Sequence, residues 1–121
     1  MKKEPVSFTS ATSNPDYSDV KDIAPDELAR KKNSVHVVDV RRPDEYTGEL
    51  GHIGGAKLMT LDTVPDRLHE LPKDETIVFV CRSGGRSGRA SAFALENGFK
   101  DVYNLGGGMI LWNELGLETE R

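Results

Sequence analysis

Two short apolar runs constrain the fold of this chain more than any other feature. They are V-H-V-V-D-V at residues 35–40 and T-I-V-F-V at residues 76–80. Runs that are rich in β-branched residues and lack alternation are typical of strands buried on both faces of a sheet. Such a sheet needs a covering layer on each face, and helical patterns lie between the runs. The sequence therefore predicts an α/β fold with a mostly parallel sheet and helices on both faces.

The same reading gives four helices and two further, shorter strands. We expect helices from Pro25 to near Lys32, from Leu61 to Leu71, from about Ala90 to Gly98 and around residues 110–115, and strands near residues 57–59 and 101–104. Residues 41–56 contain one proline and four glycines, which predict a long irregular loop. Loops of this length are often functional.

The start of the chain differs from the rest in composition. Residues 1–19 are rich in Ser, Thr, Asn and Lys and have no sustained apolar period, so we expect a flexible, loosely held leader there. We expect residues 20–121 to form a single domain, because a chain of 121 residues is about the size of one ordinary domain.

Charge and hydropathy exclude several classes of partner. The formal net charge is −4, and the acidic and basic residues are interspersed, which argues against a nucleic-acid partner. The apolar runs are far shorter than a bilayer span, and the polar N-terminus has no signal-peptide core. We therefore expect a soluble, cytoplasmic protein with no membrane partner. His36, His52 and His69 share no evident ligand set, so we expect neither a metal nor another cofactor.

The single cysteine, Cys81, follows the second apolar run directly. It opens the loop C-R-S-G-G-R-S-G-R, which contains Gly84, Gly85 and Gly88 and also Arg82, Arg86 and Arg89. In parallel sheets the ligand crevice lies beyond the carboxyl ends of the strands. Glycines let successive backbone amides turn toward one anion, and the helix that follows directs its positive end to the same point. Together with the arginines, these groups should favour the thiolate form of the cysteine.

Three interpretations of a lone cysteine remain possible from the residues: a buried apolar residue in a plain turn, a metal ligand without thiolate companions, or a reactive thiol. A reactive thiol in an anion-binding loop fits sulfur transfer, but it also fits a cysteine phosphatase or an arsenate reductase. Four residues separate Cys81 from Arg86, whereas five separate the cysteine and arginine of the C-x5-R phosphatase loop. The shorter loop suits a terminal persulfide sulfur better than a phosphoryl group, which favours sulfur transfer.

Other residues have more structural interpretations. We expect Asp39, Arg41 and Glu45 to form an ion-pair cluster that fixes the loop beside the active site. His52 is expected to form hydrogen bonds within its own loop, because an ionised thiolate needs no general base. Trp112 is expected to anchor the core.

Three ordered motifs resemble the rhodanese domain family, and the resemblance covers nearly all of residues 20–117. They are V-V-D-V-R-R-P-D-E-Y-T-G-E-L-G-H-I-G-G-A at residues 37–56, C-R-S-G-G-R-S at residues 81–87 and N-L-G-G-G-M-I-L-W at residues 104–112. The resemblance implies an α/β fold with a five-stranded parallel sheet and a two-step reaction through a cysteine persulfide. It implies that Cys81 carries the sulfur and that the loop amides of Arg82, Ser83, Gly84, Gly85, Arg86 and Ser87 bind the substrate.

The chemistry implied by the resemblance is attack of the Cys81 thiolate on the outer sulfur of thiosulfate, with transfer to cyanide or a thiol. Arg86, together with Arg82, is expected to pair with the sulfonate oxygens. The alternative for these arginines is solvation or an ion pair with a loop acid. Two alternatives at the level of function stay open. The fold could merely bind a partner, or Cys81 could relay sulfur from a protein donor to a protein acceptor.

Overall fold

The two apolar runs form neighbouring central strands of the sheet. In the computed structural model, which describes residues 4–121, they pair in parallel with Val38 opposite Phe79. The six strands are β1 (Thr12–Ser13), β2 (Lys21–Ile23), β3 (His36–Asp39), β4 (Lys57–Leu58), β5 (Ile77–Val80) and β6 (Val102–Leu105). Their order across the sheet is β1-β2-β6-β5-β3-β4. Among the strands of residues 4–121, only β1 runs antiparallel to its neighbour, so the prediction of a mostly parallel α/β sheet is confirmed.

The helices largely follow the sequence signals. They are α1 (Pro25–Lys31), α2 (Pro43–Tyr46), α3 (Val64–Arg67), α4 (Gly85–Glu96) and α5 (Gly108–Glu114). The single helix expected from Leu61 to Leu71 is wrong: α3 is only four residues long and lies between 3₁₀ turns at Leu61–Thr63 and Leu68–Glu70. Pro65 lies in the first turn of α3, where its missing amide hydrogen is tolerated, so the helix starts at Val64 and not at Leu61. The left-handed residue expected at the end of α4 is confirmed, because Gly98 has a φ of 91°.

Strand β5 divides the core into two layers. Its alternate side chains enter different clusters: Ile77 and Phe79 pack on one face, and Val78 and Val80 pack on the other. The first face is covered by α3 and α4, and the second by α1 and α5. Helices therefore lie on both faces, as the sequence predicts. Cys81 belongs to the cluster on the α4 face.

The N-terminal segment corrects two predictions. The sheet has six strands and not five, because Thr12–Ser13 adds a short antiparallel strand to one edge. This strand lies in the stretch expected to be a loosely held leader, yet residues 4–19 pack on the domain. Phe8 is buried with its ring centroid 4.9 Å from that of Tyr103. One aromatic residue thus supplies an anchor that composition alone does not reveal. Residues 1–3 lie outside the described residues.

A buried carboxylate also anchors this segment. Glu27 of α1 accepts hydrogen bonds from the backbone amides of Thr9 and Ser10, each at 2.9 Å. It also forms an ion pair with Lys31 at 2.7 Å. Burial alone would raise the pKa of Glu27, but the hydrogen bonds from Lys31, Ser10 and Thr9 lower it well below its ordinary range. The carboxylate is therefore satisfied in its ionised form.

Two further observations concern the described residues. Trp112 is buried and its indole nitrogen donates to the carbonyl of Glu118 at 3.0 Å, which confirms its expected role in the core. Within residues 4–121, no helix has both the length and the apolar character that a membrane crossing requires.

We expect Phe8→Ala to lower the free energy of unfolding by about 3 kcal/mol, because it leaves a cavity under the N-terminal segment. Urea unfolding followed by circular dichroism measures the change. The control is Leu115→Ala, which removes an exposed apolar side chain and should change the stability by less than about 0.5 kcal/mol. A Phe8→Ala variant as stable as wild type would show that Phe8 does not anchor the segment.

Candidate active site

Cys81 lies directly beyond the carboxyl end of β5, at the start of the loop that leads into α4. We call residues 81–87 the active loop. Gly84 has a φ of 110°, a left-handed conformation suited to glycine, and it forms the cap of α4. This turn brings the amide of Gly84 to 3.0 Å from the Cys81 sulfur, and the Ser87 hydroxyl lies 3.2 Å from the same sulfur. The thiol is therefore buried beneath two hydrogen-bond donors.

The beginning of α4 adds further donors. The first amide groups of a helix have no acceptor within the helix, and in α4 these belong to Gly85, Arg86 and Ser87. They lie at the positive end of the helix dipole, which favours a negative charge nearby. Of the predicted loop residues, Gly84 and Ser87 contact the sulfur, whereas Arg82, Ser83 and Gly85 lie exposed at the surface of the loop.

A buried network behind the active loop positions these donors. The amide group of Asn104 donates to the carbonyl of Gly84 at 3.1 Å and to the carboxylate of Asp22 at 2.9 Å, and its oxygen accepts a short hydrogen bond from Ser87. Ser87 has one hydroxyl hydrogen, so it donates to Asn104 or to Cys81 at a given moment. Sequence reasoning did not assign these roles to Asn104 and Asp22. A polar residue at the end of a buried strand is the signal that could have found Asn104.

The start of α5 supports the loop from the other side. The amide of Met109 donates to the Cys81 carbonyl at 2.9 Å, and the amide of Ile110 donates to the Arg82 carbonyl at 3.0 Å. The close contact between α5 and the active loop depends on Gly108, which has a φ of 57°. A Cβ atom there would lie 2.5 Å from both carbonyl oxygens. The motif N-L-G-G-G thus lets two helices meet at Cys81.

The expected ion-pair cluster forms only in part. Asp39 and Arg41 form a fully buried pair at 2.8 Å, and Arg41 also donates to the carbonyl of Gly51 at 2.7 Å. These contacts fix the loop of residues 41–56, as expected. Glu45 is not part of this pair, and the expectation is wrong for it.

Glu45 pairs with Arg86. The two terminal nitrogens of Arg86 donate to the two carboxylate oxygens at 2.7 and 2.9 Å. The guanidinium of Arg86 is the largest cause that lowers the pKa of Glu45 from 4.5 to about 2. Arg86 therefore forms an ion pair with a loop acid, which is the alternative that the sequence left open.

The remaining predicted residues lie farther from the sulfur. His52 forms a hydrogen bond between Nδ1 and the Tyr46 carbonyl at 2.7 Å, which places its contact within its own loop as expected. Arg89 lies exposed on α4 and lines an apolar groove of about 540 Å³ between this helix and residues 60–65. Within residues 4–121, no group of three or more His, Cys, Asp or Glu side chains is placed to bind a metal ion.

A parallel sheet whose central strand ends in a cysteine, with a glycine-rich loop and a helix start behind it, defines a class of protein. The family model described as the rhodanese-like domain matches residues 24–115. The chain belongs to this family, and the resemblance identified from the three motifs is confirmed.

Individual relatives agree with this assignment. The thiosulfate sulfurtransferase GlpE of Pseudomonas paraeruginosa is 37% identical over 94 residues, which cover 77% of this chain and 84% of the relative. A sulfurtransferase of Allochromatium vinosum is 41% identical over 83 residues, which cover 69% and 76%. The crystal structure of a rhodanese-like domain protein from Staphylococcus aureus has 38% identity and a TM-score of 0.71, and covers 83% of this chain and 98% of that one. These relatives support sulfurtransferase activity for this chain.

We expect Gly108→Ala to lower the free energy of unfolding by about 3 kcal/mol or more, because it combines a left-handed conformation with a clash against two carbonyl groups. Gly116→Ala is the control, since Gly116 has a φ of 71° but no atom within 4 Å of a new Cβ. That variant should lose only about 1–2 kcal/mol. Equal losses in urea unfolding would show that the close approach of α5 to the loop is unimportant.

The pair between Glu45 and Arg86 predicts a pH dependence of stability. Since folding lowers the pKa of Glu45 from 4.5 to about 2, its contribution to stability is complete above pH 4.5 and is lost as the pH falls toward 2. We expect Glu45→Gln to weaken the decline of the urea midpoint across this range. The control Glu114→Gln, which removes an exposed carboxylate, should keep the wild-type decline. Parallel declines in wild type and Glu45→Gln would contradict the prediction.

Proposed function

We propose that this protein is a sulfurtransferase that moves a sulfane sulfur from thiosulfate or a similar donor to cyanide or a thiol through a persulfide on Cys81. One observation carries the proposal: the Cys81 sulfur lies at the end of β5 within hydrogen-bond distance of the Gly84 amide and the Ser87 hydroxyl, at the start of α4. Such donors stabilise a thiolate, which is the nucleophilic form of cysteine.

The proposed reaction has two steps. In the first, the Cys81 thiolate attacks the outer sulfur of thiosulfate, a bond forms between the two sulfur atoms, and the sulfur–sulfur bond of thiosulfate breaks. Sulfite leaves with the electron pair of that bond. In the second, cyanide or a thiolate attacks the outer sulfur of the persulfide and takes it as thiocyanate or a new persulfide. The Cys81 thiolate is regenerated, so the cycle needs no redox cofactor.

Residues of the active loop have distinct proposed roles. The amides of residues 82–87 and the Ser87 hydroxyl bind the anionic sulfur, and they need no reorganisation because Gly84 and Asn104 already fix the turn. The guanidinium of Arg82 is proposed to meet the oxyanion part of the donor, and that of Arg86 does so only where the donor displaces Glu45. The four residues between Cys81 and Arg86 give a tighter ring of amides than the phosphatase loop, which favours sulfur over phosphoryl transfer.

The groove beside α4 favours an organic thiol as acceptor. Val40, Val64 and Ala90 line it and belong to the same apolar cluster as Cys81, and Arg86 of the active loop also lines it. An apolar acceptor can bind there with its thiol directed to the active loop, and the thiol of a partner protein is included in this proposal. A working thiol also favours a reducing compartment, so we propose the cytoplasm as the location.

We predict that incubation with thiosulfate adds the mass of one sulfur atom to the intact protein, and that cyanide removes it. Mass spectrometry measures both steps. The added mass should be absent in Cys81→Ser, because the chain has no second cysteine to accept it.

Two results would contradict this function. One is an added mass that persists in Cys81→Ser. The other is hydrolysis of para-nitrophenyl phosphate at a higher rate than sulfur transfer from thiosulfate, which would favour the phosphatase alternative. Ser87→Ala is a useful companion variant, because it removes a donor to the sulfur without altering the backbone amides. We expect slower sulfur loading in that variant.

A further inference from the structure

We propose that Glu45 determines which sulfur donors react at Cys81, because it occupies the guanidinium of Arg86 and so disfavours donors that carry a sulfonate. This inference rests on the proposed function and adds a substrate class to it. The favoured donors are sulfane-sulfur compounds without an oxyanion group.

Glu45 occupies both terminal nitrogens of the Arg86 guanidinium. A guanidinium recognises an oxyanion through two parallel N–H donors. Both terminal nitrogens of Arg86 already donate to Glu45, at 2.7 and 2.9 Å, so this pair of donors is filled by a carboxylate of the protein itself. A sulfonate must displace that carboxylate to gain the same bonds. Exchange of one oxyanion for another gives little net binding.

The Glu45 side chain is also held in place by its surroundings. Its side chain is only 14% exposed, and its Oε1 also accepts from the backbone amide of Arg42 at 3.2 Å. Pro43 starts α2 and places Glu45 in the first turn of that helix. The buried pair of Asp39 and Arg41 fixes the preceding loop. A carboxylate held in this way does not move aside without loss of these contacts.

The charge of Glu45 also affects how an anionic donor approaches Cys81. The pKa of Arg86 is raised above its ordinary value, mainly by the hydrogen bonds to Glu45. Cys81 makes a smaller contribution in the same direction, so the two groups interact electrostatically. With Glu45 bound, the positive charge of Arg86 is neutralised at the point where an anionic donor must approach. In contrast, the exposed guanidinium of Arg82 has no polar partner within residues 4–121. An oxyanion therefore meets one available arginine in the active loop and not two.

Alkylation of Cys81 tests this inference without any sulfur transfer. Iodoacetate and iodoacetamide react alike: the thiolate attacks the methylene carbon, a carbon–sulfur bond forms, and iodide leaves. They differ in that only iodoacetate carries a carboxylate. Because Cys81 is the single thiol, the ratio of the two rate constants measures how well the site admits an anion.

We expect Glu45→Gln to raise the ratio of the iodoacetate rate constant to the iodoacetamide rate constant about tenfold over wild type. The reason is that Arg86, once released from Glu45, can form a charged hydrogen bond with the carboxylate of iodoacetate. Glu49→Gln is the matched control. Glu49 lies in the same loop and lines the same small cavity as Glu45 and Arg82, but it forms no ion pair within residues 4–121. Its loss should leave the ratio unchanged.

The double variant Glu45→Gln with Arg86→Ala separates the two possible causes of the increase. If Glu45 acts by occupying Arg86, the double variant should lose the increase. The inference is overturned if the increase persists there, if Glu49→Gln gives an equal increase, or if Glu45→Gln leaves the ratio unchanged. Circular dichroism and urea unfolding identify any variant that has not folded, and Arg86→Gln then replaces Arg86→Ala.

Sulfur loading distinguishes this inference from the proposed function. If neither thiosulfate nor a persulfide donor without an oxyanion group adds sulfur to the wild-type protein, the proposed function fails, while the alkylation ratio still decides the role of Glu45. If thiosulfate does add sulfur, we expect Glu45→Gln to load faster than wild type. Slower loading by the variant would overturn the inference even if the persulfide forms.

Discussion

The burial of β5 on both faces is the constraint on which the rest of the structure depends. Its four side chains alternate between two apolar layers, and each layer requires its own helices. The helices before and after β5 in sequence, α3 and α4, cover one face, and α1 and α5 cover the other. Cys81 continues this alternation onto the α4 face, and the loop after it must turn at once into the helix that covers the face. Core packing and the position of the thiol thus have one cause.

The active loop is held by parts of the chain that are distant in sequence. Glu45 reaches Arg86 from the loop after β3, Asn104 supports Gly84 and Ser87 from the end of β6, and Gly108 admits the first turn of α5. The three motifs identified in the sequence correspond to these supports and to the loop itself. They come together in the fold because each one touches the surroundings of a single sulfur atom.

The sequence predicts the parts of this protein that depend on local patterns. The two central strands, the helix start at Pro25 and the position of Cys81 at a strand end all follow from neighbouring residues. The pair between Glu45 and Arg86 could not be assigned in this way, because the partners are 41 positions apart. Each of them also has residues of opposite charge that are nearer in the sequence. The packing of the N-terminal segment could not be predicted either, because Phe8 is an isolated aromatic residue in a polar stretch.

The contact between α5 and the active loop has a consequence for how the site comes into being. The carbonyl groups of Cys81 and Arg82 receive their hydrogen bonds from residues 109 and 110, near the end of the fold. During synthesis on the ribosome, the cysteine emerges well before these donors exist, and long-range contacts of this kind form late in folding. In the interval the thiol is an ordinary exposed cysteine, open to oxidation. A nascent chain therefore depends on the reducing power of its surroundings until its last helix docks.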